Sequence, residues 1–361
     1  MLILTKIIYI MKPMTRRTRR FLFYTLLLIF ILGAPLTIFY TAGYSFDWQK
    51  MKLIKTGGIY LKSTPAGAEI FLDNKPKNAT PRLLSRLLPR DYHIAVSKNG
   101  FYSWQKTLSV YPQIVTEARN IFLFPKNSKP ELVNPLATST IESYFIKERD
   151  AVKIIQAQKI ASTTLGWRLK NDNIFYISEN NLNLYRADLS GSVREQISRE
   201  SLPENNFYTL DTNDQRRFWL LSQANNLYFL DKNDKIFKKL AGGVLGAQFS
   251  SDNKKILYFN QNEIFVYFLD EILIQPYKKA NEKKLITRHF EKISQAIFYP
   301  NNEHIAYVAG DKIKIIELDD RGSRNSVDFI SAPQPQIYFD EPNSFFYYLT
   351  KNEIFRVKLE L

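Results

Sequence analysis

An all-β chain behind one apolar N-terminal helix is predicted by three observations. Residues 21–40 carry no charge at all, residues 58–124 break into short alternating runs between turn residues, and from Leu165 onward a strand–turn–strand pattern recurs five times. The resulting order is a helix, a small β domain (57–124), a linker (125–140), and a β-propeller of about five blades over 151–361.

The helix comes first. About 20 uncharged residues suffice to cross a hydrocarbon core, and Gly33 and Pro35 inside the run are tolerated better in membrane helices than in soluble ones. Lys6, Lys12, Arg16, Arg17, Arg19 and Arg20 precede it with no acid among them. By the positive-inside rule residues 1–20 stay cytoplasmic, 21–41 span the cytoplasmic membrane once, and everything after Thr41 is exported. Tyr40, Tyr44 and Trp48 suit an interfacial aromatic belt. A cleavable signal peptide is the rival reading, but it calls for a shorter apolar region and an Ala-x-Ala site. Ala34 precedes a proline and Ala42-Gly43 is a poor substitute, so an uncleaved signal anchor is expected. The apolar stretch 1–10 is too short to span, and Met11 and Met14 offer alternative starts.

In the small domain, residues 91–98 alternate, with Tyr92, Ile94 and Val96 on one face and His93, Ala95 and Ser97 on the other, as a half-buried strand requires. Asn99-Gly100 supplies a turn, because glycine adopts positive φ without a Cβ clash, and 102–110 is the partner strand. Pro65 and Gly67 form an earlier turn. A strand over 68–72 closes at Asp73-Asn74, and a last strand runs from Val115 to about Phe124. The spacing of Ser63-Thr64-Pro65-Ala66-Gly67-Ala68, Thr80-Pro81, Leu88-Pro89-Arg90-Asp91-Tyr92, Asn99-Gly100-Phe101 and Trp104 resembles the PEGA family of cell-envelope domains. The resemblance implies an extracytoplasmic, non-catalytic, β-sandwich-like module. Ala66 stands where the family motif is acidic; the fold is expected to survive this change, and any contact made by the acid to be lost.

Pro125, Pro130 and Pro135 among Lys, Asn and Ser give linker composition. Beyond them the repeats are anchored at Ile174, Phe218, Ile256, Ile305 and Phe346, spaced 44, 38, 49 and 41 residues apart, near the roughly 40–45 of a four-stranded blade. Three of them end in Leu230-Asp231, Leu269-Asp270 and Leu318-Asp319. Phe249-Ser250-Ser251-Asp252-Asn253-Lys254-Lys255 and Phe298-Tyr299-Pro300-Asn301-Asn302 resemble the blade signature of WD-repeat-like and TolB-like propellers, although the Trp-Asp pair is missing. The last repeat holds three strands, so residues 151–158, read as a spare strand, are expected to pair with it and remove an open edge. A sixth blade follows if residues 141–147 build one.

The formal net charge is +15, of which +9 remains beyond residue 20. Such an excess draws anionic partners within a Debye length, outside the membrane an acidic wall polymer or lipid headgroups. Without cysteine, thiolate metal sites, cysteine nucleophiles and disulfides are excluded. His93, His289 and His304 lie apart with no metal-ligand spacing. Asp231-Lys232-Asn233-Asp234-Lys235-Ile236 fails as a calcium loop because Lys235 takes a ligand position and Ile236 replaces glycine. Neither a nucleophile elbow nor a phosphate loop occurs, so no catalytic residue, metal or cofactor is expected. Acidic pairs such as Asp270-Glu271 and Asp319-Asp320 fall at strand ends, where turn chemistry accounts for them. Arg82, Arg86 and Arg90, at four-residue spacing, are candidate anionic-ligand contacts on one side of a helical turn, against the alternative of a solvated face over buried leucines.

A non-catalytic single-pass envelope protein is therefore expected, binding or scaffolding an envelope protein or anionic wall polymer, and not nucleic acid. The alternative is a propeller-based hydrolase acting on envelope glycans with carboxylates around the central opening. A sensor would need a partner, since about 20 cytoplasmic residues hold no output domain.

Overall fold

A computed structural model of the chain describes residues 15–48, 50–134, 141, 148–340 and 344–359. The alternative start methionines, residues 135–140 of the expected linker and residues 142–147 of the sixth-blade segment lie outside them.

The described residues fall into two compact units, the first made of residues 15–60, 82–92 and 109–117. Its helix α1 (Arg16–Thr41) starts earlier than the apolar run, because Thr15 caps it by accepting a hydrogen bond from the Thr18 amide at 3.3 Å and arginine is a good helix former. All its side chains are unburied and its mean hydropathy reaches 2.3, so by length and composition it can cross a membrane. A hairpin follows, β1 (Tyr44–Asp47) with β2 (Lys52–Lys55), in the register Tyr44↔Lys55.

The small domain has two sheets. β3 (Gly57–Thr64), β4 (Glu69–Leu72), β5 (Lys75–Ala79), β6 (Arg82–Leu87), β7 (Asp91–Ser97), β8 (Trp104–Ser109) and β9 (Val115–Phe122) form the orders β6-β3-β9 and β5-β4-β7-β8. Tyr92, Ile94 and Val96 are buried along β7, as their alternation requires. Two adjacent positive φ values, 48° at Asp73 and 62° at Asn74, make the tight β4–β5 turn, the geometry that matches the twist of the flanking strands.

One expectation is corrected here. The segment holding Arg82 and Arg86 is strand β6, and Arg90 sits in the turn before β7. Pro81 biases its predecessor toward extended backbone, β3 supplies a ladder alongside, and leucines at 83, 84, 87 and 88 fit either period.

The second unit, residues 61–81, 93–108 and 118–359, holds the repeats. After β10 (Glu131–Asn134) and α2 (Glu148–Ile160) come five four-stranded sheets. Blade 1 is β11 (Thr164–Lys170), β12 (Asn173–Ser178), β13 (Leu184–Asp188) and β14 (Arg194–Gln196). Blade 2 is β15 (Tyr208–Thr212), β16 (Phe218–Ser222), β17 (Leu227–Leu230) and β18 (Phe237–Ala241). Blade 3 is β19 (Gly246–Phe249), β20 (Lys255–Phe259), β21 (Glu263–Phe268) and β22 (Lys283–Arg288). Blade 4 is β23 (Ile293–Phe298), β24 (His304–Ala309), β25 (Lys312–Glu317) and β26 (Ser326–Ser331). Blade 5 joins β27 (Gln336–Asp340), β28 (Phe345–Thr350) and β29 (Glu353–Lys358) to β10.

All five repeat anchors lie on the second strand of their blade and are fully buried. Successive blades share apolar cores, such as Phe218, Leu220 and Tyr228 with Phe175 and Ile177 between blades 1 and 2.

The closing strand is the second correction. Residues 151–158 lie in α2, and β10, inside the expected linker, pairs antiparallel with β29 at Glu131↔Arg356 and Leu132↔Phe355. Blade 5 does take a strand from ahead of the repeats, but the extended Glu-Leu-Val-Asn supplies it. Ala157 and Ala161 recur at helical spacing and are buried against blade 1 beside Ile174, which a strand could not achieve for both. Ile141 is buried against Tyr347, Leu349 and Ile354 of blade 5.

Antiparallel order gives each blade two ends. The first carries the turns between strands 1 and 2 and the loops between strands 3 and 4; the second carries the 2–3 turns and the connections between blades.

Candidate functional site

The first end carries ion pairs that run from blade to blade. Arg217, beginning β16, donates from Nε to Asp231 at 2.9 Å within its own blade. It also clamps Asp270 of blade 3 with two parallel bonds of 2.9 and 2.8 Å. The Asp270 hydrogen bonds hold the guanidinium above its usual range, and the same bonds hold the Asp270 carboxyl below its own. Lys255, beginning β20, repeats the device one blade on. Its ammonium, almost wholly out of solvent, reaches Asp252 at 3.1 Å and Glu303 of blade 4 at 3.2 Å. The acids at strand ends thus tie blades together, a role beyond turn chemistry; Asp320 likewise holds Lys278 at 2.7 Å.

At blade 4 the partner comes from the small domain. Along β8, Trp104, Lys106 and Leu108 face inward. Lys106 Nζ lies 2.5 Å from Glu317 Oε1, and Trp104 Nε1 donates to Oε2 at 2.8 Å. The Asn325 amide and side chain both donate to Oε1 at 2.8 Å, and Lys106 also donates to the Asp319 carbonyl at 2.9 Å. Alongside, Phe122 and Phe124 pack against Tyr299 and His304. Burial, with the Lys106 charge adding to it, drives the His304 imidazole down to about 3, so it is neutral and hydrogen-bonded through Nδ1 to Asn301. The void here is only about 20 Å³, room for one water, so this cluster is a lock and not a ligand site. An inward lysine at Lys106 in the alternation of β8 was the sequence signal for it.

The second end is different. Between the C-terminus of α2 and the inner strands β11 and β15 opens a cavity of about 830 Å³, within the range of small-ligand sites. Gly166 forms part of its floor; a Cβ there would stand 2.1 Å from the Tyr208 carbonyl, so only glycine lets the two inner strands approach this closely. Trp167, Phe207 and Tyr208 give aromatic surface, with Phe207 64% exposed on the blade 1–2 connection. Around them stand Gln158, Ser162, Thr164, Thr209, Gln223 and Asn225. Among the described residues no carboxylate, imidazole, lysine or arginine lines the cavity. The Tyr208 phenol in this lining is pushed up by burial to about 12 and donates to the Glu204 carbonyl at 2.8 Å. Trp167 also borders a second cavity of about 580 Å³ toward the first end. There Lys153 pairs with Asp172 at 2.5 Å and Arg168 with Asp211 at 3.2 Å.

The three arginines singled out in the sequence do not meet as a helical face. The Arg86 guanidinium, at a residue with φ 61°, stacks 3.1 Å over the Tyr40 ring at the end of α1. Arg90 stacks 3.8 Å over Tyr92 and donates to the Asp91 carbonyl at 3.1 Å, while Arg82 is exposed near the start of β6. Among the described residues no three His, Asp or Glu side chains converge as a metal site. Asp231, in the calcium-like loop, is committed to Arg217.

Residues 56–121 match the PEGA domain family, so this segment is a PEGA domain. Among solved structures, the chain is similar to the β-propeller domain of Myceliophteria thermophila Cps50 (Swd1), with 12% identity over 53% of this chain and 67% of that one, TM-score 0.39. It is also similar to virginiamycin B lyase from Staphylococcus aureus, with 11% identity over 54% and 69% of the two chains, TM-score 0.33. A gluconolactonase from Xanthomonas campestris shows 10% identity over 52% and 68%, TM-score 0.34. No curated protein matches the chain.

Proposed function

We propose that the protein is a non-catalytic, single-pass anchored binding or scaffolding protein of the cell envelope, with its N-terminus cytoplasmic and its PEGA domain and repeat domain outside. The uncharged lining of the 830 Å³ cavity carries this reading. Most glycan hydrolysis uses paired carboxylates, which the lining lacks among the described residues, and the Tyr208 phenol, pushed up to about 12 and bonded to the Glu204 carbonyl, is a poor general acid or base near neutral pH. At the first end charged side chains of neighbouring blades pair with one another, and Lys106 and Trp104 of the PEGA segment also lock in there. That leaves the second end as the rigid, presented surface of a scaffold. The apolar helix and the family's extracytoplasmic habit support the location.

The test is retention of the full-length protein, in detergent micelles, on purified cell wall, lipid vesicles and immobilised envelope proteins, alongside assay of soluble products from the wall. Retention without released product supports the reading; release of reducing ends at a rate abolished by altering this cavity overturns it. Retention lost between low and moderate salt would assign the binding to bulk positive charge.

A further inference from the structure

Resting on that reading and naming its ligand class, we propose that the cavity at the second end binds an uncharged, hydroxyl-rich glycan segment. Three properties of the lining select this chemistry. First, a chain of net charge +15 keeps every formal charge out of this lining, so an anionic or cationic ligand would lose hydration there and meet no counter-charge. Second, the exposed side chains of Gln158, Ser162, Thr209, Gln223 and Asn225 form no hydrogen bond with other protein groups among the described residues. Each offers both a donor and an acceptor. A sugar hydroxyl is likewise both, whereas a wholly apolar ligand would cover these groups and leave them unpaired. Third, Phe207, 64% exposed, and the half-buried Trp167 bring aromatic rings to the lining, against which the polarised C–H face of a pyranose can lie.

Rigidity favours the same conclusion. The floor is fixed by the backbone contact at Gly166, and Ser222 Oγ is already engaged by the Asn226 amide at 3.2 Å, so the backbone that carries the amides and hydroxyls, on α2, the strands and their turns, needs little reordering on binding.

The experiment uses the full-length protein in detergent micelles with maltotriose, cellotriose, chitotriose and mannotriose as probes, followed by saturation-transfer NMR and tryptophan fluorescence. Binding of at least one trisaccharide is expected, changing less than twofold between about 0.05 and about 0.5 M salt because no charge is involved. Phe207→Ala and Thr209→Val each weaken it tenfold or more, while Phe290→Ala, 87% exposed on another blade connection, leaves it unchanged. Absence of transfer to all four sugars at millimolar concentration overturns the ligand class, as does binding insensitive to both cavity variants. A neutral peptide that binds at Phe207 while the sugars do not would overturn the glycan assignment but leave the binding reading intact. Cleavage of a bound trisaccharide would instead overturn the non-catalytic reading.

Discussion

Lys106 Nζ and Glu317 Oε1 lie 2.5 Å apart, the lysine side chain fully and the glutamate side chain almost fully removed from solvent. The lysine belongs to a PEGA strand and the glutamate to the end of the third strand of blade 4, so one buried pair commits two recognisable modules to a single compact unit. Replacing Lys106 by Met strands a buried carboxylate with only neutral donors from Trp104 and Asn325. A loss of about 3–5 kcal/mol in unfolding free energy is expected from denaturant titration. The double variant Lys106→Met with Glu317→Gln removes the orphaned charge and recovers most of it; a double variant as unstable as the single one would refute the pairing as the cause.

Arg217 does the equivalent work between blades 2 and 3. Its fork fits Asp270 in parallel and still reaches Asp231 through Nε, a geometry that a lysine cannot reproduce. Arg217→Met is expected to cost about 2–3 kcal/mol, and Arg217→Lys to restore less than half of it. The hydrogen bonds from Arg217 depress the Asp270 carboxyl, so its contribution is complete above the ordinary carboxylate range and fades as pH falls through the depressed value. Arg217→Met should therefore be less acid-sensitive than the parent in parallel melts below pH of about 4.

Much of this architecture is written in short-range pattern. The anchors Ile174, Phe218, Ile256, Ile305 and Phe346 were recognisable because each recurs with a turn and an aromatic-rich strand, and all five prove fully buried on equivalent strands. Tyr92, Ile94 and Val96 declare their face by alternation alone. What pattern could not reveal is partnership across the chain. Arg82 and Arg86 read equally well at a period of four, and only the neighbouring β3 decides for a strand. Glu131 to Asn134 is four residues long among prolines, and its strand character depends on meeting β29. The cavity is assembled from three separate stretches, α2, β11 and the β15–β17 region, none of which carries a motif.

Protonation of His304 gives a pH signature. Its imidazole sits among Phe122, Phe124 and Tyr299, and burial lowers it from 6.5 to about 3. A base depressed in the folded state gives stability that is complete above pH 6.5 and is lost as pH falls toward 3, at up to about 1.4 kcal/mol per pH unit, because the unfolded chain takes up the proton first. Burial raises the Glu303 carboxyl, and its contribution runs the other way, fading as pH rises through that raised value. The comparison is therefore drawn against His304→Gln, which keeps a hydrogen-bonding partner for Asn301. Between pH 6.5 and 5 the parent should lose stability relative to this variant, and equal slopes would show that the imidazole is already charged in the fold.

Gly166 links the blade interface to the cavity. Adding one methyl group at a point 2.1 Å from the Tyr208 carbonyl forces β11 away from β15, at about 1–3 kcal/mol for an overpacked contact. Gly166→Ala is expected to lower the denaturant midpoint and also to weaken any ligand held between the strands, whereas Gly67→Ala, where nothing crowds the added carbon but φ is 74°, should affect stability alone. Calorimetry and a binding titration on the same samples separate the two effects.

The proposed membrane orientation rests on an asymmetry within α1. Arg16, Arg17, Arg19 and Arg20 crowd its first turns, the last turn has no basic residue, and its 26 residues extend about 39 Å, enough to span a bilayer core with the arginines held at one surface. The absence of cysteine makes the point directly measurable. In a chain carrying a single Leu273→Cys, at a position 75% exposed on the loop after β21, a membrane-impermeant maleimide should label intact cells. Thr18→Cys, also exposed, should react only after the membrane is opened. The reverse labelling pattern would place the PEGA domain and the blades in the cytoplasm and remove the envelope from the functional argument.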